Sequence, residues 1–306
     1  MAFLQLSMSC KLDDFMPLES ALEAVGALAV TMSDAHLDAA DEQAIFEPGV
    51  GETPLWNEMQ LQALFPGDSD ADLIRAALAN AEPSMDFSGA TFDVVEDQDW
   101  ERAWMDQYEP LQFGQRTWIV PWNAELPAAA AEQGEEAAVI RLDPGLAFGS
   151  GTHPTTALCL EWLDSLADDG ALQGRDVLDF GCGSGILALA ALKLGASRAV
   201  GVDNDPQAIT ATADNAQRNG VAIDVYLPQD EPAATYPIVV ANILASALIE
   251  LSPVIGARVA PGGVLAMSGI LHGQECEVIA AYADRFYDLR ADQQDDWMRV
   301  TGRRRG

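Results

Sequence analysis

Basic residues are scarce in this chain of 306 residues, and lysine is nearly absent. Sixteen Lys and Arg face 48 Asp and Glu, so the formal net charge is −32 at pH 7, and Lys11 and Lys193 are the only lysines. Nucleic acid repels so negative a protein, which argues against direct nucleic acid binding. The acidity fits adaptation to a salt-rich host or steering of a basic protein partner, and the two can both hold.

Cysteines and long apolar runs are also few. The apolar run 185–192 ends at Lys193 and is too short to cross a bilayer. Residues 1–10 lack the features of a secretory signal. The four cysteines have no CxxC spacing, which predicts neither a zinc site nor a disulfide framework: Cys10, Cys159, Cys182 and Cys276. We therefore expect a cytoplasmic protein with free thiols, no metal and no membrane span.

The remaining composition is that of a globular protein with two domains. Hydrophobic residues make up 49% of the chain, which is enough for a core, and 306 residues exceed one average domain. In the first 98 residues, alternating and helical apolar spacings predict strand, helix, two strands, helix and strand. These segments are 3–9, 18–25, 27–32, 55–65, 70–81 and 91–95. The order predicts a smaller amino-terminal ferredoxin-like α/β domain over 1–98.

A connecting helix and linker are expected over 99–136. Trp100, Trp104 and Tyr108 recur every fourth residue, which places three aromatic rings on one helical face. Such a face serves either the core or a partner surface. Residues 117–121 are strand-like, whereas 123–136 are rich in Ala, Glu and Pro and predict an exposed linker.

Strands and helices alternate over 137–306, which predicts a mainly parallel sheet with helices on both faces. The predicted strands are 177–180, 198–203, 238–242 and 264–269, and the predicted helices are 186–194, 205–219 and 245–259. In such a sheet, ligands bind at the carboxyl ends of the strands. Polar residues at those strand ends are therefore the candidates for a site.

The first candidate is a glycine-rich loop that follows the strand 177–180. Gly181, Gly183 and Gly185 stand at every second position, and a helix follows. Glycine lets the backbone turn sharply and lets a ligand lie against it without an intervening side chain. Dinucleotide-binding folds use the related spacing G-x-G-x-x-G, so a glycine loop alone is weak evidence. The G-x-G-x-G spacing is similar to the adenosylmethionine loop of class I methyltransferases.

Two more candidates follow the next predicted strands. Asp203 ends the strand 198–203, beside the glycine loop, where a carboxylate can accept hydrogen bonds from both ribose hydroxyls of an adenosine. Asp205 and Pro206 are typical of a helix start. Asn242 ends the strand 238–242 and can accept a hydrogen bond from an amine; otherwise it caps a turn or helix. Ile-Leu-Ala follows Asn242 without the stacking aromatic that a base-flipping enzyme needs.

A long loop precedes these elements. Residues 141–156 are too rich in Gly and Pro for regular structure, so we expect a loop over the site that enters a helix near Thr155. Such a loop can supply backbone donors, hydroxyls and the imidazole of His153. A histidine here is either a catalytic group or a structural one.

Together these stretches resemble the bacterial PrmA-type ribosomal protein L11 methyltransferases. The resemblance is carried by 143–156, by the Asp-Phe-Gly-Cys-Gly-Ser-Gly-Ile loop at 179–186, by Asp203 with 205–206, and by 241–244. It extends more loosely to 46–48 and 99–102. Ser150 stands where such proteins often have Thr, and a few extra residues lie at 167–172; neither departure touches the matched contact positions.

The resemblance implies a class I, Rossmann-like domain that binds S-adenosyl-L-methionine and an amino-terminal domain that recognises ribosomal protein L11. It implies methylation of lysine side chains and of the N-terminal amine, on a substrate free of the ribosome, by a monomeric enzyme. Asn242 and His153 are the expected catalytic residues. The expected cofactor contacts are Phe148, Thr152, Thr156, Gly181, Gly183, Gly185, Asp203 and Asn242.

Three other functions remain in competition at this point. A small-molecule amine methyltransferase would need no separate recognition domain. A nicotinamide-dependent oxidoreductase would prefer the G-x-G-x-x-G spacing. A catalytically silent adenosylmethionine-binding module would share every motif but transfer no methyl group.

Overall fold

The computed structural model describes residues 2–36, 55–96, 109–142 and 153–306. The chain divides into two compact units, Met1–Asp99 and Trp100–Gly306. Several predicted features lie outside the described residues: the aromatic helix at 100–108, the resemblance at 46–48 and 99–102, and the loop positions Phe148, Ser150 and Thr152.

The described residues of the first unit form a four-stranded antiparallel sheet with two helices. Its elements are β1 (Phe3–Lys11), α1 (Leu12–Ala24), β2 (Ala29–Asp34), β3 (Glu58–Pro66), α2 (Ala71–Ala81) and β4 (Thr91–Val95). The strand order β2-β3-β1-β4 confirms the predicted ferredoxin-like arrangement. Alternate residues of β3 are buried against the helices: Met59, Leu61, Ala63 and Phe65. This period of two is the pattern that predicted the strand.

The second unit begins with a small three-stranded sheet. It contains β5 (Leu111–Phe113), β6 (Thr117–Val120) and β7 (Ala138–Arg141), in the order β5-β6-β7. The linker predicted at 123–136 differs in the structure, where α3 (Ala128–Gln133) and a 3₁₀ turn (Gly134–Glu136) occupy it. Ala130 is buried against Trp118 and Val120 of β6. Alanine has a high helix propensity, and the helix buries Ala130. The segment is therefore a helix rather than an exposed linker.

The main sheet of the second unit has seven strands in the order β10-β9-β8-β11-β12-β14-β13. They are β8 (Asp176–Phe180), β9 (Arg198–Val202), β10 (Asp224–Tyr226), β11 (Tyr236–Asn242), β12 (Val259–Leu271), β13 (Phe286–Gln294) and β14 (Trp297–Arg304). The first five run parallel, and β14 is antiparallel to both neighbours. This confirms the predicted, mainly parallel sheet.

Helices flank this sheet and supply its core. They are α4 (Pro154–Asp168), α5 (Ile186–Lys193), α6 (Pro206–Arg218), α7 (Ala245–Glu250), α8 (Ser252–Arg258) and α9 (Glu275–Tyr282). One helix was predicted over 245–259, but the structure breaks it at Leu251. Pro253 has no backbone N–H to donate to the preceding turn. The first helix therefore ends before it, and a second helix begins at Ser252. Within the described ranges, no helix is long and apolar enough to span a membrane.

Candidate active site

A cavity of about 650 Å³ lies at the carboxyl ends of β8, β9 and β11. It brings together five residues that the sequence analysis selected from separate segments: Thr156, Gly181, Gly183, Asp203 and Asn242. Two neighbouring strands, β8 and β11, end here, and the helices that follow them pack into two separate core clusters, one for each face of the sheet. The crevice that results is where parallel α/β sheets bind their ligands.

The glycine loop needs its glycines for conformation and for space. Gly181 and Gly185 have φ of +82° and +79°, a left-handed conformation that disfavours other residues. A methyl group on Gly181 would collide with Cγ2 of Ile243, and one on Gly185 would lie 2.7 Å from Cγ2 of Thr212. Gly185 does not line the cavity but directly precedes α5.

Hydrogen bonds fix this loop against the next strand and helix. The amides of Gly181 and Cys182 both donate to the Val202 carbonyl, at 2.7 and 3.1 Å. Thr212 Oγ1 donates to the Gly183 carbonyl at 3.0 Å, and Asn215 Nδ2 donates to the Ser184 carbonyl at 2.9 Å. The loop backbone is therefore held rigidly at the cavity.

Asp203 follows β9 and is held in place by backbone amides. Its Oδ2 accepts from the Gly183 amide at 2.9 Å, and its Oδ1 accepts from the Asp205 amide at 3.0 Å. Each carboxylate oxygen keeps a further lone pair for a ligand hydroxyl. Asp205 caps α6 through a 2.8 Å bond from the Gln207 amide, with Pro206 beginning the helix, as the sequence predicted.

Asn242 and Thr156 form a polar pair in the cavity. Asn242 Nδ2 lies 3.3 Å from Thr156 Oγ1, and the Thr156 side chain on α4 is fully buried. Asn242 Oδ1 is also buried, but it has no hydrogen-bond partner among the described residues. A buried acceptor without a donor costs free energy, so this oxygen marks a place for a ligand donor.

His153 occupies a different position. It is the N-cap of α4: its Nδ1 accepts from the Thr155 amide at 3.3 Å and lies 2.7 Å from Thr155 Oγ1. Its ring packs edge-on to Trp297 with centroids 4.6 Å apart, and burial lowers its pKa. His153 is not among the described residues that line the cavity. The geometry gives it a capping role, and its catalytic role stays a prediction.

No role was predicted for Asp179, which lies near the end of β8. Its side chain is 1% exposed, and its Oδ2 accepts from the Ala188 amide at 3.1 Å. Burial raises the pKa of this carboxyl to about 8, and the charge of Asp203 acts in the same direction. The bond from Ala188 opposes this rise. The sequence signal was its position two residues before the first loop glycine.

We predict that Asp179→Asn removes part of the pH dependence of stability. Between pH 3.8 and about 8 the unfolded chain loses this proton and the folded protein keeps it, so the wild-type free energy of unfolding falls as the pH rises. Asparagine cannot ionise, so the variant should lose less stability over that window. Urea unfolding at several pH values measures this, with the exposed Asp214→Asn as control. Parallel pH curves for Asp179→Asn and wild type would contradict it.

The residues present fit S-adenosyl-L-methionine. The glycines of the loop leave room for a ligand against the backbone, and Asp203 offers acceptors to a ribose. Asn242 Oδ1 is an acceptor that lacks a donor, and apolar side chains of Ile243 and Leu244 line the same cavity. No cluster of metal-binding side chains occurs in the described part of the chain.

Comparison with known proteins agrees with this site. The family model described as "Ribosomal protein L11 methyltransferase (PrmA)" matches residues 2–305. The chain belongs to this family. A ribosomal protein L11 methyltransferase from Stenotrophomonas maltophilia (strain R551-3) is 66% identical over 307 residues, and one from Xanthomonas axonopodis pv. citri (strain 306) is 63% identical over 308 residues; each alignment covers 100% of both chains.

A solved structure is also similar to this chain. The ribosomal protein L11 methylase from Lactobacillus delbrueckii subsp. bulgaricus has 32% sequence identity and a TM-score of 0.55, covering 65% of this chain and 100% of that chain. Membership in the PrmA family confirms the expected class I methyltransferase and its cofactor, S-adenosyl-L-methionine. It excludes the nicotinamide-dependent oxidoreductase.

Proposed function

We propose that this protein transfers methyl groups from adenosylmethionine to amino nitrogens of ribosomal protein L11, at lysine side chains and the N-terminal amine. The observation that carries this proposal is the unpartnered Asn242 Oδ1 in the cavity. An amide oxygen suits an amine, which brings the N–H donor that this oxygen lacks. The names of the relatives supply the substrate.

The chemistry requires a neutral amine, because a protonated amine has no lone pair. A lysine amine has a reference pKa of about 10.4 and must lose a proton first. The apolar side chains of Ile243 and Leu244 disfavour the charged form in the cavity. Adenosylmethionine supplies an electrophilic methyl group on its sulfonium. Asn242 then holds the amine by one N–H and leaves the lone pair free, so its contribution is orientation.

Thr156 is a positioning residue in this scheme. Its hydroxyl accepts a hydrogen bond from Nδ2 of Asn242 and so fixes the amide in the orientation in which Oδ1 has no partner among the described residues. The cofactor would be held by Thr156, Gly181, Gly183, Asp203 and Asn242. Gly185 would act indirectly through the shape of the loop.

The two compact units suit a division of labour. We assign substrate recognition to 1–98 and cofactor binding to 137–306. The segment 99–136 was expected to connect them, but its described residues from 109 onward belong to the second unit. A small-molecule methyltransferase would not require the first unit, which has its own sheet and core. The net charge of −32 favours a basic protein partner and disfavours nucleic acid. We further propose that the enzyme is a cytoplasmic monomer that acts on ribosomal protein L11 free of the ribosome.

We expect the full-length protein to label free ribosomal protein L11 with radioactive methyl from adenosylmethionine. Mass spectrometry should place the methyl groups on lysine Nζ and on the N-terminal nitrogen. The same protein assembled in large ribosomal subunits should be labelled more slowly, and small amines not at all. Labelling of small amines alone would contradict the substrate, and binding of adenosylmethionine without any transfer would contradict the activity.

A further inference from the structure

β12 carries a β-bulge beside the end of β11, where Asn242 lies. The pairing of β12 with β14 slips between Met267 and Ile270, so that two residues of β12, Ser268 and Gly269, face a single residue of β14. Gly269 has a φ of +84°, in the left-handed region. Asn242 lies directly opposite Ser268 in the parallel ladder of β11 and β12. Bulges next to a site redirect the strand there, so this one can set the position of Asn242.

The backbone of Ile243, the residue after Asn242, lies against Gly269. A methyl group on Gly269 would be 2.2 Å from the carbonyl oxygen and 2.7 Å from the carbonyl carbon of Ile243. Carbon and oxygen atoms in contact are usually about 3.3–3.6 Å apart, so a side chain at Gly269 would push the two backbones apart by about 1 Å. The Ile243 amide also donates to the Ser268 carbonyl at 3.2 Å. The bulge therefore holds Ile243 by close contact and by a hydrogen bond.

The glycine loop limits Ile243 on the side of β8. A methyl group on Gly181 would lie 2.3 Å from Cγ2 of Ile243. Because β11 lies between β8 and β12 in the sheet, Ile243 is enclosed by a glycine that follows one neighbouring strand and a glycine within the other. Ile243 cannot move away from Gly269 without disturbing the glycine loop or carrying Asn242 along with it.

We propose that Gly269 is a positioning residue for methyl transfer. Because it has no side chain, the bulge can seat the backbone of Asn242 and Ile243 at the height where Asn242 Oδ1 aligns the amine with the methyl group of the cofactor. This inference rests on the role of Asn242 given under the proposed function. Displacement at a sulfonium needs nitrogen, methyl and sulfur in line, and a misplacement of about 1 Å can cost about a hundredfold in rate.

The variant Gly269→Ala tests the close approach. We expect it to slow single-turnover methyl transfer to ribosomal protein L11 about tenfold to a hundredfold at saturating cofactor. The control is Gly262→Ala in the same strand, where φ is +74° and a methyl group meets nothing within 4 Å. Both variants carry similar backbone strain, so the control should stay close to the wild-type rate. Equal rates for the two variants would overturn the positioning role, and an active wild type would leave the proposed function intact.

Gly269→Asn takes the place of Gly269→Ala if the alanine variant does not fold. Asparagine tolerates the left-handed backbone better than alanine but brings the same additional carbon. The expected loss of rate is therefore the same, and a wild-type rate in a folded Gly269→Asn variant would also overturn the proposal.

A double variant separates positioning of Asn242 from a general structural effect. In an Asn242→Ala background, Gly269→Ala should slow transfer by less than about twofold, because the group that it positions is already gone. Losses that multiply in the double variant would show that Gly269 acts by another route and would overturn the proposal.

Crystal structures of the variants provide a readout that does not depend on the methylated substrate. In Gly269→Ala the hydrogen bond of 3.3 Å between Asn242 Nδ2 and Thr156 Oγ1 should be lost, whereas Gly262→Ala should retain it. An unmoved Asn242 in Gly269→Ala would overturn the positioning role. This comparison decides the inference even if ribosomal protein L11 is not methylated, so the two failures can be told apart.

Discussion

Asn242→Ala is expected to slow single-turnover methyl transfer about a hundredfold at saturating cofactor, or somewhat less, with little change in thermal stability. The side chain lines the cavity in which the proposed mechanism places the amine, and Oδ1 has no partner among the described residues that alanine would strand. The rate should fall because the amine loses its orienting acceptor. Calorimetry measures the affinity for adenosylmethionine in parallel, and we expect it to fall too.

Thr156 provides the matched control for this prediction. Thr156→Val removes the hydroxyl that holds Nδ2 of Asn242, and Thr156→Ser retains it. Methyl transfer should be slow in the valine variant and close to wild type in the serine variant. A purely steric role would give the opposite order, because valine keeps the shape of threonine and serine does not. If a well-folded Asn242→Ala variant transferred methyl groups at the wild-type rate, Asn242 would have no catalytic role.

Gly181→Ala is expected to weaken adenosylhomocysteine binding by about a hundredfold or more, because the loop must move to accept the new methyl group. The substitution adds strain at φ of +82° and a collision with Ile243, which lines the same cavity. Because the loop amides are fixed to Val202, relief of the collision has to displace the ligand-binding backbone or Ile243. Calorimetry with adenosylhomocysteine measures the loss.

Gly220→Ala separates backbone strain from the collision. Gly220 has a similar φ of +67°, but a methyl group there meets nothing within 4 Å. This variant should lose about 1 kcal/mol of stability from strain and keep its cofactor affinity. If both variants bound the cofactor as tightly as wild type, the close approach at Gly181 would have no role in binding.

The sequence by itself determined the features that depend on short spacings. The order of six elements in the first unit, the glycine loop and the Asp205 cap each follow from residues a few positions apart. The shared location of the strand ends was also within reach, because parallel strands with helical connections place their carboxyl ends at one edge of the sheet. For that reason the sequence alone groups Gly181, Asp203 and Asn242, whereas the order of the strands does not follow from it.

Only the tertiary structure decided the partners of these residues. Asn242 and Thr156 are 86 residues apart, and the pairing that leaves Oδ1 free depends on how α4 packs against β11. No sequence motif marks Glu231 and Arg258 as a pair. They are 27 residues apart and meet only in the wall of the cavity. The contacts of His153 were likewise only partly predictable from the sequence. Its capping bond to Thr155 is local, whereas its ring contact with Trp297 depends on the packing of β14. Burial and long-range contact are properties of packing, and neither hydrophobic period nor residue spacing encodes which buried atom lacks a partner.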